Sequence, residues 1–157
     1  MNNEILTYAL LGALAIALLF CVYSDIRYRK IFNKVTLPIA LAAPLYWYAT
    51  DTWGLQDVGM HLATGAAVFV LFALFHRFGM MGAGDVKLFS ALALWFPWTK
   101  VGSMLIYASL LGGAVTVIFV VTHKMRKQKG PVQIPYGVAI ALSGLIIAGE
   151  PIFNHFG

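Results

Sequence analysis

The chain has 157 residues, enough for one domain, and is 61% hydrophobic with 11% charged residues. A soluble domain carries about 25% charged residues, so a mean hydropathy of +0.81 excludes an ordinary soluble class and calls for lipid. The net charge of +5 does not point to nucleic acid, because the charges sit in short clusters between apolar runs, as loops flanking a membrane do.

Six apolar segments follow in order. The first runs from about Ile5 to Tyr23. Its leading Met1-Asn2-Asn3-Glu4 has an acid where a secretory signal has lysine or arginine, so the run is expected to remain as a span. It holds the single cysteine, Cys21, expected to be a small buried residue. One cysteine allows no intrachain disulfide and no cysteine-based zinc site. The second segment runs from about Val35 to Thr50, and the third from about Val58 to Phe78. The fourth, about Val86 to Trp98, is short. A helix of about 13 residues rises ~20 Å, against ~30 Å of hydrocarbon. The fifth covers about Val101 to Thr122 and the sixth about Ile134 to Phe153. All are continuously apolar, without the dyad alternation of barrel strands, so helices are expected.

The loops carry the polarity of the chain. The first holds Arg27, Arg29, Lys30 and Lys34. The third holds Arg77, the stretch Gly79 to Gly84 and Asp85, with Lys87 just beyond. The fifth, His123 to Pro131, holds Lys124, Arg126, Lys127 and Lys129. The second has acids only, and Pro97-Trp98-Thr99-Lys100 reads as a tight turn. Ten of the eleven lysines and arginines thus fall in or beside the odd-numbered loops. The positive-inside rule then predicts an all-α polytopic membrane protein of six transmembrane helices. Both termini lie outside, the odd loops are cytoplasmic, and residues 1–157 form one domain.

Of six acids, Glu4, Asp51, Asp57 and Glu150 fall on the outer side, leaving Asp25 and Asp85 on the cytoplasmic side. Ionisable groups near membrane depth are costly and usually functional. Asp25 closes the first span beside a basic run, where pairing with those arginines is the plain alternative. Asp85 follows Gly82-Ala83-Gly84, where an N-cap of the fourth helix is the plain alternative. Two carboxylates brought together do not both ionise easily. One keeps a proton while the other draws a proton from water that attacks a carbonyl, the chemistry of an aspartic dyad. Gly-x-Ser-x-Gly and His-Glu-x-x-His do not occur, His61, His76, His123 and His155 are scattered, and no metal or phosphate motif is present.

The run from Asp25 through Ile26-Arg27-Tyr28-Arg29-Lys30-Ile31-Phe32-Asn33 resembles the first catalytic segment of the type IV prepilin peptidases. Gly82-Ala83-Gly84-Asp85-Val86-Lys87 resembles the second, and Pro135-Tyr136-Gly137 the late Pro-Tyr-Gly element. The resemblance implies that Asp25 and Asp85 are the dyad and that Gly82, Ala83 and Gly84 shape the backbone beside it. It implies supporting roles for Asn33, Lys87, Pro135, Tyr136 and Gly137. Asn33 also reads as an N-cap of the second helix, and Lys87 as a cytoplasmic anchor. The implied substrates are prepilins and pseudopilins, cut at the cytoplasmic face between a basic leader and an apolar helix. No cofactor is implied.

Phe32 stands where the family often has proline. The larger members' added segment with paired Cys-x-x-Cys motifs, linked to N-methylation, has no counterpart here. The resemblance is therefore to the short, peptidase-only form of tight-adherence (Flp-type) pili, with archaeal preflagellin peptidases as near neighbours. Leaders and loops are both basic, so anionic lipid at the cytoplasmic face is expected to neutralise the loops and make cleavage salt-dependent. A small transporter with Asp85 in a broken helix is the competing reading. It gives no reason for a second acid at the end of the first span. A purely structural membrane subunit would tolerate replacement of either acid.

Overall fold

The computed structural model describes residues 2–126 and 134–156, with the side chains of 3–126 and 134–153. It contains six helices among these residues: α1 (Asn2–Tyr28), α2 (Asn33–Ala49), α3 (Leu55–Arg77), α4 (Ala83–Trp95), α5 (Trp98–Met125) and α6 (Tyr136–Phe156). No strand occurs among the described residues. Lys127, Lys129 and Pro131 of the fifth loop lie outside them, as does the side chain of His155. Four helices, α1, α3, α5 and α6, are long and apolar enough to cross a membrane. With 17 and 13 residues, α2 and α4 are shorter. Over the described residues the architecture is all-helical, as for a polytopic membrane protein.

Four local expectations are corrected. Helix α1 continues through Tyr28, so Asp25 sits inside its last turns rather than after its end. Phe32, not Asn33, caps α2, and it makes no side-chain cap bond. Phe32 takes φ −81° and ψ 135°, an extended conformation close to what a proline there would impose. Gly82 occupies the N-cap of α4, which makes Asp85 the third helical residue rather than the cap. The expected turn Pro97-Trp98-Thr99-Lys100 is instead the start of α5, with Pro97 at its N-cap.

The shortest helix is the core. Leu88, Phe89, Leu92 and Ala93 of α4 are fully buried, and α4 packs against α2, α3 and α6. Helix α5 is the reverse case: it packs mainly on α6 and leaves Ile106, Leu110, Val117 and Ile118 exposed. Lipid is as apolar as leucine, so hydropathy alone does not sort helices into centre and rim. Pro38 and Pro44 each remove a rung from α2, a loss that membrane helices tolerate where neighbours compensate.

At the far end of α4 the aromatic residues lock the packing. Trp95 Nε1 donates to Ile39 O at 2.7 Å, and Trp47 Nε1 to Leu94 O at 2.7 Å. The Tyr46 ring lies 5.1 Å from Trp95, and Trp47 stacks on His61 at 5.2 Å. These contacts tie the C-terminal end of α4 to α2 and hold Trp47 of α2 against His61 of α3.

Candidate active site

At the N-terminal end of α4, the α1–α2 linker, the α3–α4 linker and the start of α6 meet around a cleft of about 920 Å³. Asp25, Asn33, Gly82, Gly84, Asp85 and Tyr136 line it. Linkers far apart in sequence therefore converge on one site. Asp25 is only 6% exposed and Asp85 9%, so each carboxylate is largely shielded although the cleft is open.

Asp25 is held by α6. Its Oδ2 accepts a buried hydrogen bond from the backbone N–H of Val138 at 3.1 Å. Val138 is the third residue of α6, and the first four N–H groups of a helix have no partner within it. Its N–H also reaches Pro135 O at 3.3 Å. The carboxylate thus sits on the positive end of the helix, where negative charge is favoured. Pro135, fully buried, fixes the chain just before the helix begins.

Asp85 is held by its own turn. Its N–H donates to Gly82 O at 3.1 Å, and a Cβ on Gly82 would stand 3.0 Å from Asp85 Oδ2. The carboxylate therefore folds back over the helix start instead of reaching into solvent.

Gly137 brings the two acids into one place. A Cβ there would lie 2.8 Å from Asp25 Oδ2, 3.0 Å from Asp85 Oδ1 and 2.5 Å from Ile31 Cδ1. Both carboxylates reach the same point, so those two oxygens can be no farther apart than those two distances laid end to end. Any larger residue would occupy the space between them. Gly84 serves the neighbouring contact: its Cβ would meet Ile31 Cβ at 3.0 Å and Ile31 O at 3.3 Å. The α1–α2 linker thus crosses directly over the start of α4.

The other expected residues fall at the rim. Lys87 Nζ donates to Asn33 Oδ1 at 3.0 Å, joining α4 to α2. Ala83 and Tyr136 line the cleft. Arg29, at φ 54°, turns the linker back and lays its guanidinium 4.7 Å from the Phe119 ring of α5. Ile31 and Val138 were not expected from the sequence. Val138 was accessible through Pro135-Tyr136-Gly137 read as a helix start, whereas nothing local marks Ile31. Among the described residues no group of three or more His, Cys, Asp or Glu could hold a metal. His76, in the last turn of α3, bonds Met81 O of the α3–α4 linker at 2.8 Å, and Cys21 is buried. Two shielded carboxylates sharing one small volume can hold a single proton between them, leaving one acid and one base side by side.

Comparison with known proteins places the chain among relatives. The chain is 28% identical over 146 residues to a prepilin leader peptidase/N-methyltransferase of Legionella pneumophila, covering 88% of this chain and 50% of the relative. It is 27% identical over 142 residues to the protein of the same name from Dickeya chrysanthemi, covering 87% and 49%. A Burkholderia pseudomallei counterpart is 26% identical over 133 residues, covering 77% and 42%. The chain thus spans about half the length, or less, of these curated relatives. No solved structure matches it significantly. The sequence pattern of one family matches residues 12–117, more than half of the chain and a stretch that includes both acids. The chain belongs to the type IV leader peptidase family.

Proposed function

We propose that this chain is a membrane aspartic endopeptidase that removes the basic leader from type IV-like prepilins of the Flp type, using Asp25 and Asp85. The observation that carries the reading is the meeting of both carboxylates at Gly137, within 2.8 and 3.0 Å of one point. The ionised member of the pair takes a proton from water as the oxygen attacks the peptide carbonyl. The protonated member hydrogen-bonds the developing oxyanion. The proton taken from water then passes to the departing amine as the C–N bond breaks. The products are a leader ending in a carboxyl group and a pilin beginning with an amine. The pair titrates as a unit, so neither role belongs to one residue at all times.

In this reading residues 1–157 form one unit with six spans and both termini outside, and the cleft faces the cytoplasm. Ten of eleven basic residues in or beside the odd-numbered loops support that orientation. Anionic lipid neutralises those loops while the acids attract the leader. The relatives' second named activity, N-methyl transfer, is not assigned to this chain. The support is its single cysteine, Cys21, which lies buried in α1.

The test is direct. Purified protein is incubated with a prepilin, and leader removal is followed on a gel for the unmodified chain and for Asp25→Asn and Asp85→Asn separately. Cleavage by the first and none by the folded variants is expected. An active Asp85→Asn enzyme would remove the dyad.

A further inference from the structure

We infer that the groove between α2 and α3 seats the apolar helix of the substrate, directly beside the acid cleft; this rests on the peptidase reading above. Helices α2 and α3 each pack on α4 and make little contact with one another. Between them lies a groove of about 500 Å³. Its floor includes the buried residues Thr36, Gly65 and Ala91, and its walls include Leu37 and Phe69, 59% and 49% exposed. Ser90 turns its hydroxyl to Val86 O at 2.7 Å, so it presents no unmet donor to an occupant.

Two observations say what lies there. The first is continuity: Asn33 lines both the acid cleft and this groove. A chain in the groove passes Asn33 straight into the cleft. Lys87, bonded to Asn33, stands at that junction two residues after Asp85. The second is complementarity. Ala40, Gly65, Ala66 and Ala91 place small residues on all three helices, which lets another helix approach closely in lipid. Among the described residues Lys87 is the only ionisable group lining the groove, and it sits at the cleft end. An uncharged helix therefore fits the groove, while a basic leader lies beyond the cut. A substrate whose scissile bond adjoins an apolar helix fills groove and cleft together.

The test uses the full chain in vesicles, carrying Asp85→Asn to hold substrate uncut. Leu37→Cys, Phe69→Cys or, as a control on α5, Ile106→Cys is added, and a prepilin with one cysteine in its apolar helix is supplied. Cys21 is buried and does not compete. Oxidative cross-linking is expected at positions 37 and 69 and not at 106. In the otherwise unmodified enzyme, Ala66→Trp is expected to raise KM for prepilin about tenfold by filling the groove. Cross-linking at position 106 as strong as at 37 and 69 overturns the inference. So does an absence of adducts at 37 and 69, as for a groove filled by lipid, or an unchanged KM in Ala66→Trp. These outcomes leave the peptidase reading standing when the unmodified chain still cleaves. Failure of the unmodified chain to cleave prepilin strikes that reading first, and the inference with it.

Discussion

At the end of the bundle away from the cleft, carbonyls near helix ends are met by neutral donors. Trp47 bonds Leu94 O near the end of α4, and Thr7 Oγ1 bonds Ala49 O at the end of α2 at 3.2 Å. At the cleft end the equivalent service to α6 comes from a carboxylate, Asp25. Every helix end leaves polar groups to be satisfied, and the two ends of this molecule do so with different chemistry. An indole or hydroxyl satisfies a carbonyl and does nothing more. A carboxylate on a helix N-terminus is held in place and remains an ionisable group. One end thus supplies support, and the other carries the ionisable pair.

The largest expected effect breaks that pair. Asp25→Asn or Asp85→Asn should lower kcat by roughly a hundredfold to ten-thousandfold, the usual worth of a positioned acid or base. The asparagine oxygen can still accept from Val138, so helical content should be kept, as checked by circular dichroism. The unmodified enzyme should show a bell-shaped rate against pH. At low pH both carboxyls are protonated and no base remains, and at high pH both are ionised and no acid remains. A rate that rises without limit toward high pH would mean that no protonated carboxyl is required.

Gly137→Ala comes next. Its Cβ would press on Asp25, Asp85 and Ile31 at 2.5–3.0 Å, so the carboxylates or α6 must shift. A displacement of that order should cost about a hundredfold in kcat. Gly113, on α5, has nothing within 4 Å of the same added atom. Gly113→Ala should leave kcat unchanged and stabilise the helix by up to ~1 kcal/mol. Equal behaviour of the two variants would remove the role assigned to Gly137.

The sequence separates into what charge and hydropathy reveal and what tertiary contact decides. Six helices, a short fourth helix and two acids on one side are visible because apolar runs and charge clusters are local. That Asp25 accepts from Val138 is not, since the partners are 113 positions apart. Asn33 looks like a cap because it stands at a helix start, yet Lys87 claims its side-chain oxygen. Pro97 looks like a turn, but proline at a helix start lacks a donor that the helix would not use anyway. The central place of α4 is hidden for a different reason: every helix is apolar, so the buried and lipid-facing ones read alike.

The other end is probed by Trp95→Phe. Trp95 is 2% exposed, and its indole N–H meets Ile39 O. Ile39 lies inside α2, where its carbonyl also serves the helix, so removing the donor loses one buried hydrogen bond, at a cost of about 0.5–1.5 kcal/mol. The melting temperature in detergent should fall while kcat measured well below it stays the same. A parallel loss of kcat would show that the aromatic end is coupled to the acids more tightly than rigid support requires.

The finest comparison sets two exposed lysines against each other. Lys100 pairs with Glu150 at the aromatic end, the two side chains being 47% and 29% exposed. Lys87 bonds Asn33 at the cleft end. Single exposed pairs contribute about 0–1 kcal/mol, so Lys100→Met and Lys87→Met should each change stability by no more than that. Their effects on turnover should differ. Losing the Lys87 bond frees the start of α2 from α4 two residues beyond Asp85, and kcat/KM for prepilin should fall severalfold. Losing the Lys100 pair touches nothing near the acids and should leave kcat/KM unchanged. If both variants cleave like the unmodified enzyme, Lys87 is a surface anchor. If both are slowed, the ends of the bundle are not independent, and the separation of support from chemistry fails.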